Sequence, residues 1–142
     1  KEDFEVMFGL ENGDQVYRSQ ISFYCKNFIY TCGAEPLELR TVGGVEKRYS
    51  VEQKNTVSTI GAGDNFNAGF VYGLLKDGVT REMLENGLTE QQWDEIIDQA
   101  QQFSANVCQS IHNSVDQVFA DRKRAELEDA FAALSEKKDS VQ

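Results

Sequence analysis

Apolar residues first fall at helical spacing between Asp3 and Leu10, which predicts the end of a short helix closed by the turn Glu11-Asn12-Gly13-Asp14. Asp14 then stands as N-cap of a second helix, in which Tyr17, Ile21, Tyr24 and Cys25 share one face. The run Phe28-Ile29-Tyr30-Thr31 is aromatic and β-branched and predicts a buried strand ending at Cys32-Gly33. A helix leading into a buried strand suggests one unit of an α/β sheet.

The period then changes. Leu37, Leu39 and Thr41 alternate with Glu38, Arg40 and Val42, and Gly43-Gly44 separates this run from Val45–Val51. Two alternating runs around Gly-Gly predict a β-hairpin, because the tight turn needs the positive φ that glycine supplies at low cost. Charges on one of its faces predict that it is half exposed. Thr56-Val57-Ser58-Thr59-Ile60 is a further β-branched run, read as a strand, and it meets a glycine-rich turn.

From Asp64 to Lys76 the pattern is helical and apolar nearly all round, which predicts a helix buried inside the fold. Its small residues Ala68, Gly69 and Gly73 would let a neighbouring backbone come close. Thr80 and Thr89 are candidate N-caps, and Thr89 with Gln92 forms a capping-box pattern. The next helix carries Trp93, Ile96, Ile97, Ala100, Phe103, Val107 and Ile111 at a clear 3.6-residue period. The charged tail from Asp121 has a narrow stripe of Leu127, Ala130, Phe131 and Leu134, which reads either as a docking amphipathic helix or as a frayed, solvated one.

Composition narrows the function classes. The chain has 142 residues with 14 Lys and Arg against 24 Asp and Glu, a formal net charge of −10. Such a balance argues against nucleic acid and anionic membranes, whose phosphates would repel it. A chain this long buries roughly two thirds of its unfolded surface, enough for one core. No apolar run approaches the about 20 residues that cross a bilayer, and the start Lys1-Glu2-Asp3-Phe4 lacks a signal-peptide layout. Cys25, Cys32 and Cys108 are odd in number and form no Cys-x-x-Cys pair, which fits a reducing, cytoplasmic setting and small buried side chains. His112 is the only histidine, so a Ser-His-Asp triad would rest on it alone, and no second metal ligand stands near it. No protein-held metal site is expected.

The chemistry concentrates in Thr59-Ile60-Gly61-Ala62-Gly63-Asp64-Asn65-Phe66. Two glycines let the backbone bend and approach a ligand with no Cβ in the way. The unpaired amides opening the next helix, with the positive end of its dipole, suit a phosphate or another anion. Asp64 falls in that first turn, where the dipole favours an ionised carboxylate able to act as general base toward a hydroxyl. A tight turn followed by an acidic helix start is the plain alternative. No Gly-Lys-Ser/Thr comes after it, so this is not a Walker A loop, and Phe66 breaks the Gly-x-Gly-x-x-Gly dinucleotide fingerprint.

These residues carry a resemblance. Val57 through Phe66, followed by the small-residue helix Asn67-Ala68-Gly69-Phe70, resembles the second signature of the ribokinase (PfkB) family of sugar kinases. Ile29-Tyr30-Thr31-Cys32-Gly33-Ala34 resembles that family's strand ending in Thr-x-Gly, with a hairpin between the two as here. Phe103-Ser104-Ala105-Asn106-Val107 resembles the later helix that flanks the adenine. The likeness covers residues 3–115 and leaves 116–142 as a charged amphipathic C-terminal helix.

The resemblance implies a three-layer α/β/α fold of ribokinase type, here its C-terminal portion with a β-hairpin insertion. It implies an ATP-dependent carbohydrate kinase that moves the γ-phosphoryl group to a hydroxyl of a sugar or nucleoside, with Mg²⁺ accompanying ATP. Asp64 would be the base, and the amides of Ala62, Gly63 and Asp64, with Gly61 shaping the turn, the anion hole. Thr31 and Gly33 would line the nucleotide, and Asn106 would lie near the adenine.

The sequence departs from the family at two positions and in extent. Ser58 stands where the family usually has the Asp associated with a monovalent cation, and Pro36 stands where a glycine is common. Family members are about twice this long, as α/β domains of about 200–250 residues are. The sugar-binding residues and lid would lie in the other half, so the isolated chain is expected to be inactive or nearly so. Two rival readings are a non-catalytic nucleotide- or protein-binding module and a truncated form whose open sheet edge drives a homodimer.

Overall fold

The computed structural model describes residues 1–9, 12–52 and 55–139, with side chains through residue 136. Leu10 and Glu11 of the predicted first helix and turn, and residues 140–142 of the tail, lie outside the described residues. The chain divides into two units, Lys1–Glu52 with Glu82–Thr89, and Gln53–Arg81 with Glu90–Gln142.

In the first unit, α1 (Glu2–Phe8) ends at Gly9, whose φ of 65° supplies the left-handed cap. The next helix, α2 (Gly13–Val16), is capped by Asn12 rather than Asp14: Asn12 Oδ1 accepts from the amides of Asp14 (2.9 Å) and Gln15 (3.2 Å). The helix begins this early because Gly13 lies against the sheet, where a Cβ would stand 2.6 Å from Glu38 Oε2 and 2.9 Å from Tyr30 Cδ1. Asp14 is thereby released to pair with Arg18 at 2.9 Å.

A π-helical turn, Tyr17–Ile21, continues α2. The extra residue in that turn rotates the succeeding stretch of chain, so Tyr24 is 92% exposed instead of sharing the face of Tyr17 and Ile21. Those two pack with Phe4 and Cys32 on the buried cluster of Val16, Phe28 and Tyr30.

Three strands, β1 (Asn27–Cys32), β2 (Glu35–Thr41) and β3 (Glu46–Tyr49), form a sheet in the order β1-β2-β3. Both pairings are antiparallel, with Ile29 opposite Leu39 and Leu39 opposite Lys47. The predicted hairpin is present, closed at Thr41–Val45 with Gly44 at φ 81°. β1 also pairs directly with β2, so the three strands make one meander.

The β3 arm is half exposed, with Glu46 and Arg48 exposed, as the charge pattern predicts, but two charges on β2 are not. Glu38 and Arg40 are both buried on the face that Phe28 and Tyr30 share. Burial is tolerated because each charge is paired: Arg40 reaches Glu38 (3.2 Å) and Asp14 (3.5 Å), and Arg48 reaches Glu38 (2.8 Å). The short helix α4 (Arg81–Asn86) comes after Thr80, and its Leu84 carbonyl accepts from Asn27 Nδ2 at 3.4 Å in the first unit.

The second unit is helical. Its elements are α3 (Ala62–Lys76), α5 (Glu90–Val107), which comes directly after Thr89, and α6 (Gln117–Asp139). Trp93, Ile96, Ile97 and Ala100 of α5 are at most 1% exposed, at the spacing read from the sequence. Each large apolar side chain so buried contributes about 1.5–3 kcal/mol. Gly69 and Gly73 are the close-approach positions on α3, while Ala68 is exposed.

Three expectations fail here. First, α3 is not buried all round: Val71 and Leu75 of its outer side are about half exposed, since the helix packs through Phe66, Gly69, Tyr72 and Gly73. Second, Ile111 lies beyond the end of α5 and is exposed, because the helix stops at Val107. Third, residues 56–60 form no strand. The amides of Val57 and Ser58 both donate to the Cys108 carbonyl, at 2.7 and 3.2 Å, so no ladder is available to them.

The three cysteines are half-buried rather than buried. The tail is a helix that docks on the second unit through Phe119, Lys123 and Leu134, with Leu134 methyls filling the space beside Gly78. Among the described residues no helix is long and apolar enough to cross a membrane.

Candidate functional site

The bend in front of α3 begins at Gly61, which has φ 80° and ψ 0° and takes the N-cap place without a side-chain cap. Glycine is required there twice over. The left-handed φ disfavours any Cβ, and one built at Gly61 would meet Asn113 Cβ and O at 3.0 Å. Gly63, by contrast, faces open space: a Cβ there would find nothing within 4 Å. Gly63 and Asp64 are both exposed, with Gly61 and Ala62 half-buried.

Helix geometry leaves the first amides of α3 without intrahelical acceptors. Ala62 nevertheless spends its amide on the Thr59 carbonyl at 3.2 Å, and the Asn65 amide donates to the Gly61 carbonyl at 2.9 Å. Of the three amides expected in an anion hole, those of Gly63 and Asp64 therefore face outward, at the positive end of a 15-residue helix. The Asp64 carboxylate stands on the same first turn. This arrangement can bind an anion through main-chain donors while a carboxylate waits beside it to take a proton.

Side-chain hydrogen bonds that the sequence did not reveal hold the bend in place. Asn65 Nδ2 donates to the Gly61 carbonyl at 2.9 Å and to the Asn113 carbonyl at 3.1 Å. Ser58 Oγ accepts from the Ile60 amide at 3.2 Å. A main-chain acceptor 48 residues away leaves no trace in local pattern, so Asn113 could not have been found that way. Asp116 carried a readable signal, an Asx residue just before a helix.

Asn106 lies on the last turn of α5, and both halves of its amide are taken by Asp116. Asn106 Nδ2 donates to Asp116 Oδ2 at 2.6 Å, and Asn106 Oδ1 accepts from the Asp116 amide at 3.0 Å. Asp116 Oδ1 in turn accepts from the Phe119 amide at 2.9 Å and caps α6. The hydrogen bond from Asn106, aided by the Phe119 amide, holds the Asp116 carboxyl below the usual range.

Thr31 and Gly33 belong to the other unit. Thr31 is exposed at the end of β1, and its carbonyl accepts from the Lys1 main-chain nitrogen at 3.0 Å. Gly33 turns the chain into β2 at φ 62°, with no atom within 4 Å of a Cβ placed there. An open depression of about 520 Å³ in this unit is lined by Asn12, Asp14, Gln15, Arg18 and Ser19, and by none of the expected site residues. Asn12 is occupied there in capping and Asp14 in pairing with Arg18.

A comparison with curated proteins found no match. Among solved structures, the chain is similar to fructokinase from Vibrio cholerae O395 in its fructose-, ADP- and calcium-bound form. Identity is 18% over 89% of this chain and 38% of that one, with a TM-score of 0.65. It is also similar to aminoimidazole riboside kinase from Salmonella enterica, complexed with aminoimidazole riboside and an ATP analog. There identity is 22% over 89% of this chain and 39% of the other, again with a TM-score of 0.65.

The chain thus spans about two fifths of the length of those structures, and at these identities the likeness establishes the fold, part of a ribokinase-like α/β architecture. The sequence profile of the pfkB family carbohydrate kinases matches residues 1–118. With most of its length covered by that match, the chain belongs to the pfkB family of carbohydrate kinases.

Proposed function

We propose that this chain carries the phosphate-binding and base-bearing part of an ATP-dependent carbohydrate kinase, which passes the γ-phosphoryl group of ATP to a hydroxyl of a sugar or nucleoside. The carrying observation is the bend at Gly61–Asp64, with two outward amides, an open face at Gly63 and an exposed carboxylate on one helical turn. Family membership and the nucleotide complexes of the two similar kinases support the same reading.

In this mechanism the Gly63 and Asp64 amides and the α3 dipole hold the oxygens of the transferring group, where negative charge is greatest in the transition state. Gly61 and Ala62 shape the bend. The Asp64 carboxylate accepts the proton of the attacking hydroxyl as its oxygen bonds to the γ-phosphorus and the bond to ADP breaks. Magnesium bound with the nucleotide supplies charge neutralisation on the phosphates.

Titration with MgATP tests the binding half: the Gly63 and Asp64 amide resonances shift and saturate. Their indifference to saturating nucleotide would sink the reading. In any chain context that turns over, Asp64→Asn lowers kcat by about 10²–10⁴-fold and leaves nucleotide binding in place. Undiminished turnover by that variant would remove Asp64 from the role of base and favour a non-catalytic binding module.

A further inference from the structure

The segment joining α5 to α6, residues 108–116, is fastened at its base, near its start and in its middle. At the base, Asn106 and Asp116 exchange the two hydrogen bonds already described, and Asp116 caps α6. Near the start, the Cys108 carbonyl receives the amides of Val57 and Ser58 on the approach to the bend. In the middle, the Asn113 carbonyl receives Asn65 Nδ2 from the far side of the bend, and the Asn113 backbone fills the space beside Gly61. One connecting segment therefore grips both flanks of the Gly61–Asp64 turn.

The far end of this segment is anchored on a rigid element. Phe119 on the first turn of α6 packs edge-on against Phe103 of α5, with ring centroids 5.0 Å apart. One turn later, Lys123 Nζ donates to Gln99 and Gln102 of α5, both at 2.7 Å. Asn106 commits one N–H and its carbonyl oxygen to Asp116, which fixes the orientation of its amide.

We infer that residues 108–116 act as a strap that sets the shape of the anion-binding bend, and that Asn106 and Asp116 are its positioning pair. Asn106 acts on the site through Asp116. The inference rests on the reading of the bend as a phosphate site. Physically, the bend needs a left-handed Gly61 and a fixed first turn of α3, and a loop held by few hydrogen bonds opens locally unless its ends are tied. The strap supplies those ties.

Amide hydrogen exchange and titration with inorganic phosphate, both on the 142-residue chain, test this. Asn106→Ala is expected to speed exchange of the Asn65 and Val57 amides by about ten-fold, with the Ile96 and Ile97 amides of α5 unchanged. Phosphate binding, read at the Gly63 and Asp64 amides, weakens by about the same factor. The exchanged pair, Asn106→Asp with Asp116→Asn, again sets a donor against each acceptor and returns both readouts to within about two-fold of the parent.

Unchanged Asn65 and Val57 exchange in Asn106→Ala overturns the strap. So does an exchanged pair that stays as impaired as the single variant, which would place Asn106 itself against the ligand. Should Asn106→Ala fail to fold, Asn65→Ala gives the same exchange test without touching α5 or α6. If phosphate leaves the parent Gly63 and Asp64 amides unmoved, the anion-site reading falls, and the exchange measurements still decide the strap.

Discussion

Gly69 of α3 lies so close to Ala100 of α5 that a Cβ on Gly69 would stand 2.8 Å from the Ala100 Cα and 2.7 Å from the Gln99 carbonyl oxygen. Backbone atoms, not flexible side-chain ends, line this contact, so the helices must separate to admit a methyl group. Gly69→Ala is expected to destabilise the chain by about 1–3 kcal/mol, even after the about 1 kcal/mol that alanine gains in a helix. Gly63→Ala, on the same helix but facing open space, costs no stability. Denaturant unfolding of the two variants checks the contrast, and equal midpoints would refute the packing account.

Tyr72 is buried between α3 and α6, donating its hydroxyl to the Lys123 carbonyl at 2.9 Å and to Glu126 Oε2 at 3.2 Å. Burial first, and then the Glu126 charge and hydrogen bond, push its pKa up to about 12. A raised pKa means the folded state keeps its proton longer than the unfolded one. The stability it contributes is complete below the ordinary tyrosine value and is lost as pH climbs through the folded value of about 12. Phenolate absorbance should therefore show a late step near pH 12 that Tyr72→Phe removes. A titration curve that Tyr72→Phe leaves unchanged above the ordinary tyrosine range would contradict it.

Lys123 is a buried cation on α6, its ammonium shared among Gln99, Gln102 and Glu126 and placed 5.5 Å from the ring centroids of both Tyr72 and Phe119. Lys123→Met keeps most of the apolar stem but leaves the two glutamine oxygens without their donor. A loss of about 2 kcal/mol is expected, since hydrogen bonds to a charged group are the stronger ones. If thermal unfolding shows the Met variant as stable as the parent, the network contributes nothing and α6 is held by apolar contact alone.

Asp116 is acid-sensitive in a definite direction. Its carboxyl is held low by the Asn106 hydrogen bond first, then by the Phe119 amide, with Arg122 adding a smaller favourable charge. A lowered pKa contributes stability above the ordinary carboxylate value, and that contribution fades as pH falls through the depressed folded value. Acidification should loosen the Phe119 amide at the start of α6 before the centre of α5. Carbon-detected titration of Asp116 at or above the ordinary value would count against the clasp.

Local pattern carried a large part of this structure. The period of Trp93, Ile96, Ile97 and Ala100 marked α5 and its buried face, because a helix repeats every 3.6 residues whatever surrounds it. Gly43-Gly44 marked the hairpin turn, and Gly61-Ala62-Gly63-Asp64 marked the bend where α3 begins, since positive φ and missing Cβ atoms are properties of the residues themselves. Other features depended on partners distant along the chain. Glu38 and Arg40 looked like an exposed face and are buried, because Asp14 and Arg48 neutralise them.

Residues 56–60 have the composition of a strand and do not form one, since the Val57 and Ser58 amides go to a single carbonyl at Cys108. The bonds between Asn106 and Asp116, ten residues on, could not be read from local pattern. Chain chemistry alone thus settled where the backbone turns and which helical stripe is apolar, as these stem from φ preferences and side-chain spacing within one turn or strand. Which carbonyl meets which amide, which charge is shielded and what holds the bend rigid were decided only on folding, when groups up to 57 residues apart came within hydrogen-bonding distance.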